Sequence, residues 1–235
     1  MRYTLLACCA ALAGCVTVEN ELAGPVKDES IHIDRGKAEQ IRMEVRMGVG
    51  ELRVADGAPA GKLVDANFRY NVPFLKPTVD YNDSSFRGSL IIEQRGEKKV
   101  RIGSDMENKW DLKLDREIPL DLEVKLGVGE TKLDLGKLNL RGVRLNVGVG
   151  ECRMDLRGDP QRDYDVEIHG GVGEATIYLP ANVGVAATAK GGIGSVRVEG
   201  LTEENGRYVN KNYGKAKVTV RVDVRGGVGE IKLIG

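Results

Sequence analysis

The sequence predicts an all-β protein, a β-solenoid or right-handed β-helix-like stack of strands turned at glycine corners, and three observations carry that prediction. Apolar residues recur at every second position through most of the chain after residue 40, as at Ile41, Met43, Val45 and Met47 or Leu120, Leu122, Val124 and Leu126, which is the period of a half-buried strand. A short glycine-rich motif is written six times, as RMGVGELRV, KLGVGETKL, NVGVGECRM, HGGVGEATI, RGGVGEIKL and, more loosely, KGGIGSVRV. At each copy the alternation changes phase: apolar positions are even up to Val128 and odd from Leu133, then odd up to Val149 and even from Cys152. A one-residue slip would turn every later side chain to the wrong face. A single inward face survives only if an extra residue is absorbed at a bulge or corner, where glycine supplies the backbone angles required. A β-sandwich of hairpins is the architectural alternative, because alternation alone does not reveal strand direction.

The first segment, residues 1–14, reads as a signal peptide: Arg2 precedes an apolar run too short to cross a bilayer as a permanent helix. Leu12, Ala13, Gly14 and Cys15 resemble the bacterial lipobox, which implies cleavage before Cys15 and acylation of its sulfur and new amine. Two or three acyl chains, at about 0.8 kcal/mol per buried methylene, anchor a protein stably in a lipid bilayer. Val16 in place of aspartate suggests outer-membrane sorting in a host with two membranes, so the expected location is the outer membrane facing the periplasm, or the cell surface. Residues 15–39 are polar and without sustained period, as a tether would be. With Cys8 and Cys9 removed and Cys15 lipidated, Cys152 is left without a partner for a disulfide in one chain. Its apolar strand position reads as a small buried hydrophobe.

Residues 40–118 form an N-terminal β region whose period loosens after Asp56 and which holds Phe68, Tyr70, Phe74, Tyr81, Phe86 and Trp110. Such side chains bury large areas and are expected to fill and cap one end of the stack. The sharper alternative makes Trp110 and Tyr81, with the loop from Glu203 to Asn212, candidates for an exposed interaction surface. Residues 119–235 are the repeat region. Gly127, Gly148, Gly171 and Gly192 recur every 21 to 23 residues, a spacing typical of arrays whose units bury their apolar faces against one another. Each rung is expected to hold two strands around the corner and a short third segment such as Lys137 to Leu140. The longer interval from Gly192 to Gly227 implies a protruding loop, and the terminal GGVGEIKLIG should be the last corner and final strand.

The motif is not a phosphate loop, which would lead into a helix and carry a lysine; each copy runs into a strand. Nor does it carry the aspartate and tight period of calcium-binding nonapeptides. Stacked corners would instead align Glu51, Glu130, Glu151, Glu174 and Glu230, with Arg53, Lys132, Arg153 and Lys232 two residues on and Thr176 the exception. An alternating ion-pair ladder is expected there, and no metal. The two histidines, His32 and His169, are far apart in sequence, and no nucleophile and base converge. No catalytic residue, enzymatic activity or cofactor is expected. Thirty-five basic and thirty-five acidic residues leave no net charge, and thus no basic excess to hold nucleic acid.

The segments NFRYNVPFLKPTVDY, NKWDLKLDREIPLDLEVKLGVGETKLDLGKLNL, GGVGEATIYLP, GGIGSVRVEGL, YVNKNYG and VTVRVDVRGGVGEIKL resemble the toast-rack family of bacterial envelope proteins. That family is related to adhesin domains and to the C-terminal domains of LiaF-like cell-wall stress proteins. The resemblance covers roughly residues 40 to 235 and implies a β-helix-like stack outside the cytoplasm with no known enzymatic activity. The expected function is an envelope lipoprotein that binds or senses through an envelope protein or cell-wall glycan partner. A structural adhesin, or less simply a glycan-active β-helix enzyme, is the alternative.

Overall fold

The computed structural model describes residues 23–94 and 105–235; the segment expected to be a signal peptide and Cys15, the expected lipidation site, lie outside them. The described strands are β1 (Lys27–Asp34), β2 (Gln40–Asp56), β3 (Lys62–Tyr70), β4 (Pro77–Asn82), β5 (Arg87–Gln94), β6 (Asn108–Leu114), β7 (Leu120–Asp134), β8 (Leu140–Asp155), β9 (Tyr164–Tyr178), β10 (Gly184–Lys190), β11 (Ile193–Glu199), β12 (Thr202–Glu204), β13 (Arg207–Val209) and β14 (Thr219–Ile234). All join one sheet, as the all-β expectation requires.

Five long strands form its body, hydrogen-bonded in parallel in the order β2, β7, β8, β9, β14. Their length forces them to bend. Held straight, β7 would span about 46 Å, yet the chain from Asp134 to Leu140 reaches only about 20 Å before it must begin the neighbouring strand. The two limbs of each bent strand and the connector therefore make three sides of one rung, as the spacing predicts. The connector joins the stack by its backbone: Leu135 N–H donates to Asp155 O at 2.8 Å and Leu120 N–H to Asn139 O at 2.9 Å, with Leu138 buried between.

The bend falls at the motif, and the inward face survives it. Leu122, Val124 and Leu126 are buried before the β7 corner, and Thr131 and Leu133 after it; Leu145 and Val147 give way to Cys152 and Met154 in β8. The second glycine of every copy adopts φ between 138° and 141°, at Gly50, Gly129, Gly150, Gly173, Gly194 and Gly229, where a residue with a Cβ is strained. The stacking adds a steric demand. A Cβ on Gly150 would overlap Gly129 O, and one on Gly148, whose φ is ordinary, would overlap Gly127 O. Both glycine rows are thus fixed by backbone packing against backbone.

Three expectations need correction. β14 is not the end of the stack. It lies between β9 and the pair β10 and β11, so the loosest copy, GGIGSVRV, is outermost. The connection from β9 to β10 skips one rung height, roughly 10 Å, and the C-terminal strand fills the slot in parallel with both neighbours. Second, the loop after Gly192 does not simply protrude: β12 and β13 form a hairpin through Asn205 and Gly206, and Val209 and Tyr208 pair with Ala186 and Ala187 of β10. Third, the tether does not run to residue 39. β1 pairs with β3 from Lys27↔Tyr70 onward, and Ile33 reaches the core. Too few apolar residues mark this edge strand for a period to be legible.

At the other end, β2 is flanked by β5 along its first limb and by β6 along its second. This rung is built from two strands instead of one bent strand. β6 continues antiparallel into β3, and β5 into β4. Phe68 and Trp110 meet edge to face with centroids 5.4 Å apart, sealing this end as the aromatic content predicts. Core side chains run continuously from here through the repeats.

Candidate interaction surface

In-register stacking turns each motif position into a row of side chains about 4.8 Å apart. Val49, Val128, Val149, Val172, Val228 and Ile193 align at the vertex of the bend. Parity places Val128 and Val149 on the core face; Val49 is half-buried, but Val128, Val149, Val172 and Val228 are 43% to 50% exposed and Ile193 74%. At the vertex the chain turns away from the core, and stacked neighbours give the side chain its cover. An apolar ridge of six residues results, about 24 Å long. From Val128 to Val228 it lies between glycines whose Cβ would overlap the neighbouring backbone, and so is held on a stiff backbone.

Beside the ridge, on the first limb, runs a row of Arg46, Lys125, Asn146, His169, Arg225 and Lys190. A shallow, open groove of ≈ 650 Å³ runs along this row, lined also by Gly48, Gly127, Gly148 and Gly171 and, at one end, by Gln94. Its cations are neutralised from the next row. Arg46 donates to both oxygens of Glu44 at 2.7 and 2.6 Å, and Lys125 donates to Glu44 at 2.7 Å and sits 2.9 Å from Glu123. The Arg46 hydrogen bonds, with help from Lys125 and against the cost of burial, bring the Glu44 pKa down to about 2; Arg46 and Lys125 rise in turn.

The glutamate row on the other side of the ridge aligns as expected, Glu51↔Glu130↔Glu151↔Glu174↔Glu230. The ion-pair ladder forms only towards its ends. Lys109 lies 3.1 Å from Glu51, and Lys232 lies 2.6 Å from Glu230 and 3.8 Å from Glu174. In the middle, Glu130 and Glu151 have no cation within 4 Å among the described residues. Arg53 turns to Asp134 instead, at 3.6 Å, and Arg153 stacks on Tyr178 with its guanidinium carbon 4.8 Å from the ring centroid. Arg157 lies over the same ring at 4.7 Å, so an aromatic flanked by two cations, absent from the sequence reading, draws Arg153 away from the ladder.

The residues singled out from sequence do not converge. Trp110 is 1% exposed and its Nε1–H donates to Asn108 Oδ1 at 2.9 Å, while Asn108 Nδ2 donates to Val49 O at 2.6 Å. It belongs to the core and cannot present a surface. Tyr81 is half-buried with its hydroxyl donating to Arg35 O at 3.1 Å, and burial pushes its pKa up. Both lie at the N-terminal end. Glu203 is exposed on β12 at the opposite end, and Asn212 nearby is half-buried, its side-chain amide donating to Ala181 O at 2.8 Å. His32 pairs with Asp65 at 3.0 Å, and His169 is exposed in the groove-side row. Cys152 is buried as expected, and desolvation pushes its thiol up to about 12. Among the described residues no three His, Cys, Asp or Glu side chains are grouped to hold a metal ion, and no helix is long and apolar enough to cross a membrane. The ridge itself was legible in one respect, since its residue is the last before each slip.

Compared with known families, residues 22–178 match the N-terminal domain of toast_rack, DUF2154. The chain belongs to the toast-rack family. Within this toast-rack chain, residues 127–233 also match the C-terminal domain of LiaF, described by its cell wall-active antibiotics response. Among solved structures it is similar to a candidate cell adhesion protein from Clostridium sporogenes ATCC 15579, at 34% identity over 89% of this chain and 99% of that one, with a TM-score of 0.86. A candidate adhesin from Bacteroides fragilis NCTC 9343 is 13% identical over 89% and 97% of the two chains, with a TM-score of 0.34. No curated protein matches the sequence. The fold, an envelope-family β-solenoid-like stack, thus agrees with the sequence reading.

Proposed function

We propose that this toast-rack protein is a non-enzymatic envelope lipoprotein that works by binding, and that the ridge from Val49 to Ile193 is its contact surface. The ridge carries the reading. Contiguous exposed apolar side chains are uncommon on soluble monomers except at interaction sites, and here they sit on a scaffold that needs no ordering before it binds. The flanking polar row and glycine-lined groove suit the main chain of an envelope protein or a cell-wall glycan. Acylated Cys15 would hold the body at a bilayer, which in a diderm host is the outer membrane. Because β1 begins at Lys27, the body stands within about 42 Å of that anchor at full extension. The adhesin reading uses the same surface, and the similarity to a candidate cell adhesion protein supports it.

A photocrosslinking residue placed at Val149 or Val172 in the full chain, in cells, tests the reading. Capture of an envelope protein or wall glycan there, lost when the other of the two is changed to Asp without a change in melting temperature, is the expected result. Capture that is indifferent to the ridge, or turnover of an envelope glycan by the purified protein, would overturn it. Separately, Cys15→Ala should abolish palmitate incorporation.

A further inference from the structure

The two ends of the stack treat their open strand edges differently. At the N-terminal end the edges are β1 and β4. β1 carries Lys27, Asp28, Glu29, His32 and Asp34, and β4 opens with Pro77 and holds Asp80. Charge and proline on an edge are the usual guards against pairing with another chain. At the other end β10 is partly covered by β13, whereas β11 pairs with β14 along one side and, among the described residues, with nothing along the other. Seven residues of backbone are open there.

The outermost copy departs from the other five in the direction opposite to a guard. Ser195 stands where they carry glutamate, in register with Glu230, and the vertex residue is the larger Ile193. β11 contains no proline or lysine, and its one cation, Arg197, is drawn back onto Glu230 at 2.7 Å. Val196 and Val198 are half-buried at the end of the core. An edge that lacks proline and lysine, and that has lost the motif glutamate while keeping only Arg197 and Glu199 as charges, is suited to receiving another strand.

We propose that β11 pairs antiparallel with β11 of a second copy across a two-fold axis, joining two stacks into one continuous sheet. Self-complementarity argues for this occupant. A pairing centred on Arg197 would set the two guanidiniums opposite each other. Centred on Val196 it sets each Arg197 opposite the uncharged Ser195 of the second copy, and centred on Val198 opposite Glu199; the first avoids facing like charges, which are destabilising, and the second makes an opposite-charge pair, which is favourable. A two-fold contact uses the same edge on both copies and so leaves neither open. The contact shares Ile193 with the ridge but not the five residues from Val49 to Val228, and it stands whether or not those five bind a partner.

The test uses the full chain, oxidised in cells, with cysteine placed singly at Val196, Val198 and, as a control on the guarded edge, Ser30. The native chain, whose Cys152 is buried, is the blank. A disulfide-linked species of twice the chain mass is expected for Val196→Cys or Val198→Cys and not for Ser30→Cys. Val196→Lys, which places a charge in the seam, should reduce the purified protein to monomer by light scattering with its far-ultraviolet spectrum unchanged. A monomeric native protein with no crosslink at either position, equal crosslinking at Ser30, or a disulfide to a different protein would overturn the proposal.

Discussion

The repeat stack and the N-terminal cap are held together in opposite ways. In the stack, rungs approach so closely at the corner that Gly127, Gly129, Gly148 and Gly150 have no room for a Cβ; order depends on side chains being absent. In the cap, the rung formed by β5 and β6 has no such corner, and the neighbouring space is filled by Trp110, Phe68 and the Asn108 amide bonded to Val49 O. Order there depends on side chains being present. The first motif glycine therefore means different things at different heights, whereas the second is close-packed even beside the cap, where a Cβ on Gly50 would overlap Asn108 O. A Cβ on Gly48, which faces the cap, would meet only the flexible end of Gln94 at 3.4 Å. One on Gly127, a rung further in, would overlap Gly48 O.

The largest effect is expected from Gly150→Ala, which combines φ of 139° with overlap of a neighbouring carbonyl. It should cost about 4 kcal/mol or prevent folding, as read by chemical denaturation. If it were tolerated, the stack would be looser than the backbone contacts imply. Trp110→Ala follows at about 3–5 kcal/mol. Retention of the repeat-region sheet signal after the cap melts would show that the two regions unfold separately, and a single transition that they share one core. Glu44 tests the outer face. Its folded pKa of about 2 lies below the ordinary 4.5, so its contribution is complete above pH 4.5 and is lost as pH falls towards 2. At neutral pH that contribution is on the order of 3 kcal/mol. Glu44→Gln should lower stability near pH 7 by that order and flatten the acid limb of the stability curve.

Much of this was legible in the residues. The phase slip at each motif identified the corners, because only an extra absorbed residue keeps Leu133 and Cys152 on the same face as Leu126 and Val147. The burial of Cys152 and the capping role of Phe68, Tyr70 and Trp110 followed from their positions, whereas Phe86, expected with them, is exposed. The rank of β14 in the stack did not, since every copy presents the same apolar face and the same register to either neighbour. Ser195 and Ile193 were the only residues that marked the true end. β1 was missed because an edge strand needs few buried residues, here Ile33 and the half-buried Ile31. The ion-pair ladder failed at its centre because Arg53 and Arg153 had better partners off the row, in Asp134 and Tyr178, which no spacing along the chain could reveal.

The central claim is that the motif glycines serve backbone packing and not a ligand, and the paired variants Gly48→Ala and Gly127→Ala test it most directly. Both remove a glycine of ordinary φ at the same motif position. Equilibrium denaturation should place Gly48→Ala within about 1 kcal/mol of the native protein and Gly127→Ala at least about 3 kcal/mol below it. Equal stability of the two variants would contradict the account.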